Sequence, residues 1–190
     1  TAVKFPVVCS SDYESGDITL VFQDDGVDNK PVTVRVGGVT ALKVVSFGTK
    51  ASAAGAAAAA TAPWICSPRK DVIVFCWIDS STVHMRAGTI SVTTPTFGTE
   101  IEVATSATGA PKVASIDGNV VAICYKESTT LYGIIKRYTS ATSVLTAGRS
   151  DYFTIGATTE LFLVGAPLIT ERIAILFTDA DDAGKGKVLV

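Results

Sequence analysis

The residues that could perform chemistry in this chain are few and scattered. His84 is the single histidine, so a Ser-His-Asp triad would have to be built around it. His84 stands between Val83 and Met85 in a segment with strand character, where we expect a structural or surface role. The sequence therefore predicts no catalytic centre and a protein that is not an enzyme.

Two acidic turns contain enough carboxylates to supply oxygen ligands to calcium. Their acidic residues are Asp24, Asp25 and Asp28 in the first turn and Asp179, Asp181 and Asp182 in the second. Neither turn has the ligand order of an EF-hand with its terminal glutamate. We interpret both as solvated loops, with calcium as the alternative and no other cofactor expected.

Aromatic residues fall into two groups. One group ends apolar runs, which predicts packing between structural units, and it consists of Phe22, Trp77, Tyr125 and Phe177. The other group lies outside those runs and supplies candidate binding residues with exposed rings: Trp64, Tyr132, Tyr138 and Tyr152. Stacking of such rings on a sugar would suit a glycan-binding surface.

An acidic residue follows each of the four aromatic run ends by two positions. These repeated acids are Asp24, Asp79, Glu127 and Asp179. They could form a ring of carboxylates that binds a cation or sugar hydroxyls. We favour the structural alternative, in which each carboxylate accepts backbone N–H groups in the turn that follows.

The four cysteines, Cys9, Cys66, Cys76 and Cys124, have no CxxC spacing. Cys9 and Cys66 occupy matching positions in neighbouring segments, as do Cys76 and Cys124. Matching positions in stacked sheets lie about 10 Å apart, whereas a disulfide needs Cα atoms within about 7 Å. We therefore predict buried free thiols that behave as small apolar residues.

Composition restricts the class of protein. The 190 residues include 16 Lys and Arg against 18 Asp and Glu, a net charge of -2, and 47% hydrophobic residues. This apolar content excludes a disordered chain, and the lack of a basic block argues against a nucleic-acid partner. Val, Ile and Thr together make up 61 residues, which favours an all-β protein.

Internal repeats are the strongest pattern in the sequence. The aromatic run ends at positions 22, 77, 125 and 177 are separated by 55, 48 and 52 residues, and a proline precedes each run at 6, 63, 111 and 167. Ser46-Phe47-Gly48-Thr49 recurs as Thr96-Phe97-Gly98-Thr99. One repeat domain over 1–190 is predicted, with units 6–62, 63–110, 111–166 and 167–190, the last completed by residues 1–5.

Each unit is predicted to contain up to four short antiparallel strands. The second strand is apolar at nearly every position, so it must be covered on both faces. Radial stacking of such units gives a β-propeller, and a β-sandwich is the alternative. Residues 1–5 would close the ring. The competing interpretation is a larger ring, or an assembly that shares units.

Two stretches carry a family resemblance. Val120-Val-Ala-Ile-Cys-Tyr-Lys-Glu127 with Gly133, and Ala87 to Glu100, resemble the propeller repeats of about 50 residues in bacteriophage fibre and virion-surface proteins. The resemblance implies a virion or extracellular location and a structural or binding module: a capsid decoration protein, a head or tail fibre, or an adhesin. Its partners would be other virion proteins and copies of itself. The alternative is a lectin-like propeller that binds host-surface glycans; no membrane insertion is expected.

Overall fold

The computed structural model describes residues 3–12, 17–24, 31–39, 45–47, 51–52, 60–139, 144–146, 153–166 and 172–189. These residues form antiparallel β-sheets, which confirms the predicted all-β class. The first sheet contains β1 (Val3–Asp12), β2 (Asp17–Asp24), β3 (Val32–Val39), β4 (Val45–Phe47) and β5 (Ala51–Ser52). We call these five strands the first unit.

The second unit is a sheet of the same design. It consists of β6 (Thr61–Arg69), β7 (Val72–Asp79), β8 (Thr82–Ser91), β9 (Thr94–Phe97) and β10 (Ile101–Ala104). β7 and β8 are joined by a two-residue turn in which Ser80 has a φ of 57°. A positive φ at the first turn residue matches the right-handed twist of the hairpin strands.

The third sheet contains the last two predicted units. Its strands are β11 (Lys112–Ser115), β12 (Val120–Glu127), β13 (Thr130–Thr139), β14 (Val144–Thr146), β15 (Phe153–Ala166), β16 (Arg172–Asp179) and β17 (Lys185–Leu189). A 3-10 turn, Ala180–Asp182, connects β16 to β17. Among the described residues no helix is long and apolar enough to cross a membrane.

The outer edge of each of the first three units is divided into two pieces. β4 pairs with the end of β3 and β5 with its beginning, and β9 and β10 divide β8 in the same way. In the third unit β14 pairs with the end of β13, and the first part of β15 pairs with its beginning. The rest of β15 pairs with β16 and starts the fourth unit, which β17 completes.

The Phe-Gly motif has the same place in the first two units. Gly37 lies opposite Phe47 in the first unit and Gly88 lies opposite Phe97 in the second. A Cβ at Gly88 would lie only 2.9 Å from the Phe97 ring and 3.0 Å from the Thr96 carbonyl oxygen. The close approach of β9 to β8 therefore requires glycine at position 88.

The second strand of the second unit is covered on both faces, as the sequence predicts. Ile73, Phe75 and Trp77 pack against valines of the first unit. The alternate residues of β7, among them Val74 and Cys76, pack against the third unit. The apolar residues of β12 likewise divide between the second and fourth units. The units are thus stacked in chain order, face to face.

The N-terminal strand belongs to the first sheet along its described length. Val3 pairs with Asp24 and Lys4 pairs with Gln23. The completion of the last unit by residues 1–5 and the unit boundaries stay predictions.

Candidate functional site

Trp64, a candidate binding residue, is half-buried and has a cation over its ring. It lies on β6 opposite Cys76, and Lys112 lies on β11 opposite Cys124. These are matching positions in consecutive units, so stacking brings the two side chains together. The Lys112 Nζ lies 3.6 Å from the centre of the Trp64 ring, within the range of a cation–π interaction.

Lys112 is also half-withdrawn from water. Burial lowers the pKa of its ammonium group, and the neighbouring Cys76 opposes that shift. Lys112 was not among the candidate residues predicted from the sequence. Lys112 and Trp64 occupy matching positions in their units, and this match can be recognised only once the strand registers of both units are known.

Tyr132 is the second candidate binding residue whose side chain the structure describes. It lies opposite Tyr125 on the neighbouring strand, and the two rings stack with centres 5.9 Å apart. Tyr132 and Trp64 both pack against the core between the second and third units. The Tyr138 side chain and the whole of Tyr152 lie outside the described residues.

The four cysteines are free thiols, as predicted. Cys76 and Cys124 are buried, whereas Cys9 and Cys66 are partly exposed. Burial raises the pKa of Cys9 and of Cys124 to about 12, and it raises the pKa of Cys66 and Cys76 strongly as well. At neutral pH these groups are thiols and not thiolates, so they are poor nucleophiles and poor metal ligands.

The repeated acids stand where the second strand of each unit turns into the third. Asp79 pairs with Thr82 and Glu127 with Thr130 across these hairpins. The Ser80 hydroxyl donates to the Asp79 carboxylate at 3.3 Å. Asp24 is buried, and its backbone N–H donates to the Pro31 carbonyl at 3.0 Å. The acids thus mark hairpin ends, and their side chains belong to four separate turns.

The acidic turn of the fourth unit is paired with lysines. Lys187 Nζ lies 2.5 Å from an Asp179 oxygen and 3.5 Å from an Asp182 oxygen, and Lys185 Nζ lies 2.9 Å from Asp182. Hydrogen bonding to Asp179 raises the pKa of Lys187. The carboxylates of Asp179 and Asp182 are thus paired with ammonium groups in this structure.

Calcium binding stays an untested alternative. Asp25, Asp28 and the Asp181 side chain lie outside the described residues. Within the residues that the structure describes, no three His, Cys, Asp or Glu side chains are grouped closely enough to hold a metal ion.

His84 has a stacked position in the second unit. Its ring lies parallel to Trp77 with centres 5.4 Å apart, and its Nδ1 lies 2.8 Å from a Glu100 oxygen, without the alignment of a hydrogen bond. Arg86, two residues further along β8, donates to the Gly98 carbonyl at 2.6 Å and covers the Phe97 ring. These contacts connect β8 to β7, to β9 and to the segment between β9 and β10.

No protein-family model matches the chain, and no curated protein is significantly similar to it. The candidate residues Trp64 and Tyr132 lie at the interface between the second and third units.

Proposed function

We propose that this chain is a rigid, non-enzymatic module of a bacteriophage particle, with its four units arranged radially as the blades of a β-propeller. Its role would be that of a capsid decoration protein, a head or tail fibre, or an adhesin. The observation that carries the proposal is the repeated packing of units in one register, the second on the first, the third on the second and the fourth on the third.

The radial arrangement is supported by the way neighbouring sheets approach each other. The first strands of successive units pack on one another in series: β1 on β6, β6 on β11 and β11 on β15. Contacts towards the outer edges are sparser and include β3 with β9 and β8 with β14. Sheets that are close at one edge and apart at the other are wedge-shaped layers, as propeller blades are.

The structural role is supported by the polar and aromatic side chains, which contact one another between strands and between units. Lys112 covers Trp64, Tyr132 stacks on Tyr125, and the buried thiols are protonated. These groups join strands and units together. The glycan-binding alternative has less support, because Trp64 and Tyr132 each already have an internal partner for the ring.

A crystal structure of the 190-residue chain would test the architecture. We expect the four first strands to lie nearest to one common axis, with the sheets radiating from it. Two sheets enclosing a single core would instead establish the sandwich and overturn the propeller.

The virion role is tested by quantitative mass spectrometry of phage particles fractionated on a density gradient. We expect peptides of this chain to follow the major capsid protein at a constant ratio through the particle fractions. A host ribosomal protein, measured in the same fractions, is the control. Peptides confined to the fractions of free protein would contradict the proposal.

A further inference from the structure

The fourth unit exposes an apolar residue at a position that the other units bury completely. Leu176 comes one residue before the aromatic end of its run, and its side chain is 38% exposed. The matching residues of the first three units are each 0% exposed: Val21, Cys76 and Cys124. Those three residues pack against the following unit.

The neighbouring strand shows the same difference. Val188 on β17 pairs with Leu176 and is 62% exposed. Its counterparts are Val34, opposite Val21, and Met85, opposite Cys76, and both are 0% exposed. Leu176 and Val188 thus form the surface by which a unit contacts the next unit. We call this surface the forward face of the fourth unit.

The opposite end of the stack has the complementary exposure. Val8 on β1 pairs with Leu20 and is 58% exposed. The matching residue of the second unit is Ile65, which pairs with Phe75 and is 4% exposed. That of the third unit is Val113, which pairs with Ile123 and is 1% exposed. Those residues pack against the preceding unit. Val8 and Leu20 define the backward face of the first unit.

Each interface inside the chain joins a forward face to a backward face. Cys76 on the forward face of the second unit, for example, packs in one cluster with Val113 and Ile123 on the backward face of the third. The stack of described units is therefore bounded by two surfaces of the kinds that pair with each other at every internal interface. Val8 and Val188 both remain more than half exposed, so these surfaces do not cover each other within one chain.

We propose that the forward face of the fourth unit binds the backward face of the first unit of a second copy of this chain. The contact is head-to-tail, and it leaves a free face at either end of the pair, so it produces closed rings or filaments. The partner is this chain because it already carries both surfaces. The inference depends on the strand registers and exposures, and it is independent of the proposed virion role.

The test uses one charged substitution on each face. We expect the unmodified chain to form assemblies larger than 19.7 kDa, measured by multi-angle light scattering over a range of concentrations. Val8→Asp and Leu176→Asp each block one face, so each variant alone is expected to be monomeric. A mixture of the two should form a 1:1 dimer, because each variant still has the face that the other needs.

Two further variants make the result specific. Val92→Asp changes an 84% exposed valine in the turn between β8 and β9, away from both faces, and should assemble like the unmodified chain. Val188→Asp should repeat the effect of Leu176→Asp on the same face. Thermal melts establish that each variant is folded.

The proposal is overturned if the unmodified chain is monomeric at every concentration, or if the mixed variants do not associate. A monomer whose melting temperature falls with Val8→Asp and with Leu176→Asp alike would indicate closure within one chain instead. A failure of assembly has no bearing on the particle fractionation above, so the two proposals can fail separately.

Discussion

β7 and β16 have the same position in their units and similar sequences, yet their surroundings differ. Both are apolar runs that end in an aromatic residue followed by an aspartate, at Trp77 and Phe177. β7 has a neighbouring unit on each face, whereas the structure covers β16 on one face and leaves Leu176 exposed on the other. The run of apolar residues therefore specifies a strand made for two neighbours, and the arrangement of units decides how many it has.

The largest difference is expected from placing a charge at the same repeat position in both strands. Cys76→Asp buries a carboxylate between two units, and we expect a loss of about 4 kcal/mol or more, enough to unfold many domains. Leu176→Asp places the carboxylate at a partly exposed site, so the monomer should lose only about 1 kcal/mol. Urea denaturation of both variants measures the contrast. Equal losses would show that β16 is covered on both faces.

Truncation of the two aromatic residues makes the comparison quantitative. Trp77 is 1% exposed and stacks on both Phe75 and His84, so Trp77→Ala should cost about 3–5 kcal/mol. Phe177 is 9% exposed and belongs to a smaller core cluster, and Phe177→Ala should cost about 3 kcal/mol or less. The free energies of unfolding in urea test this order, and a larger loss at Phe177 would reverse it.

The buried thiols predict how stability depends on alkaline pH. Burial raises the pKa of Cys124 from 9.0 to about 12, so above pH 9 the unfolded chain loses this proton while the folded chain keeps it. The stability contributed by this thiol is complete below pH 9 and decreases as the pH rises towards 12. The free energy of unfolding of the unmodified chain should fall between about pH 8 and pH 10.5. In Cys124→Ala this fall should be smaller by about 2 kcal/mol.

The control for that comparison is Val121→Ala, which removes apolar volume from the same strand without changing a titratable group. The difference in free energy of unfolding between Val121→Ala and the unmodified chain should be the same at pH 8 and at pH 10.5. If Cys124→Ala behaves like Val121→Ala, the thiol does not titrate as its burial implies.

A small gain is expected where the first unit departs from the second. Thr19 is completely buried, and its hydroxyl has no hydrogen-bond partner in the part of the chain that the structure describes. Val74 occupies the matching position in the second unit, so Thr19→Val should stabilise the protein by about 1 kcal/mol. Thermal melts of the variant measure this gain. Thr61→Val, which removes a hydroxyl that donates to the Ile78 carbonyl, should give no gain in stability in the same measurement.

The sequence predicts the central strands well and the edges poorly, for a physical reason. A strand covered on both faces needs a continuous apolar run, and this signal is evident at β7 and β12. The outer pieces contain as few as two residues, as at β5, and pair with only part of a strand. Such short segments have no periodicity to recognise. The sharing of β15 by two units is not predicted for a different reason: it depends on which strands this 14-residue segment pairs with, and not on its own pattern of residues.

The candidate site could be predicted only in part. Trp64 was identified as a residue of interest, but its partner Lys112 was not, because the contact joins two units of different length. Side chains that meet across units are determined by registers, and insertions in the turns conceal them from inspection of the sequence. The burial of the Cys76 and Cys124 thiols could be predicted from the sequence, because both residues lie within recognisable buried strands.

β15 has a mechanical consequence. One 14-residue strand is hydrogen-bonded to β13 at its beginning and to β16 over the rest of its length, so the third and fourth units share an element. Between the second and third units no shared strand is described. The chain from Thr105 to Pro111 has an isolated bridge, and its Ala107 and Thr108 N–H groups donate to the carbonyls of Ser81 and Lys126. Under a stretching force the last two units should therefore yield together, as one extension event.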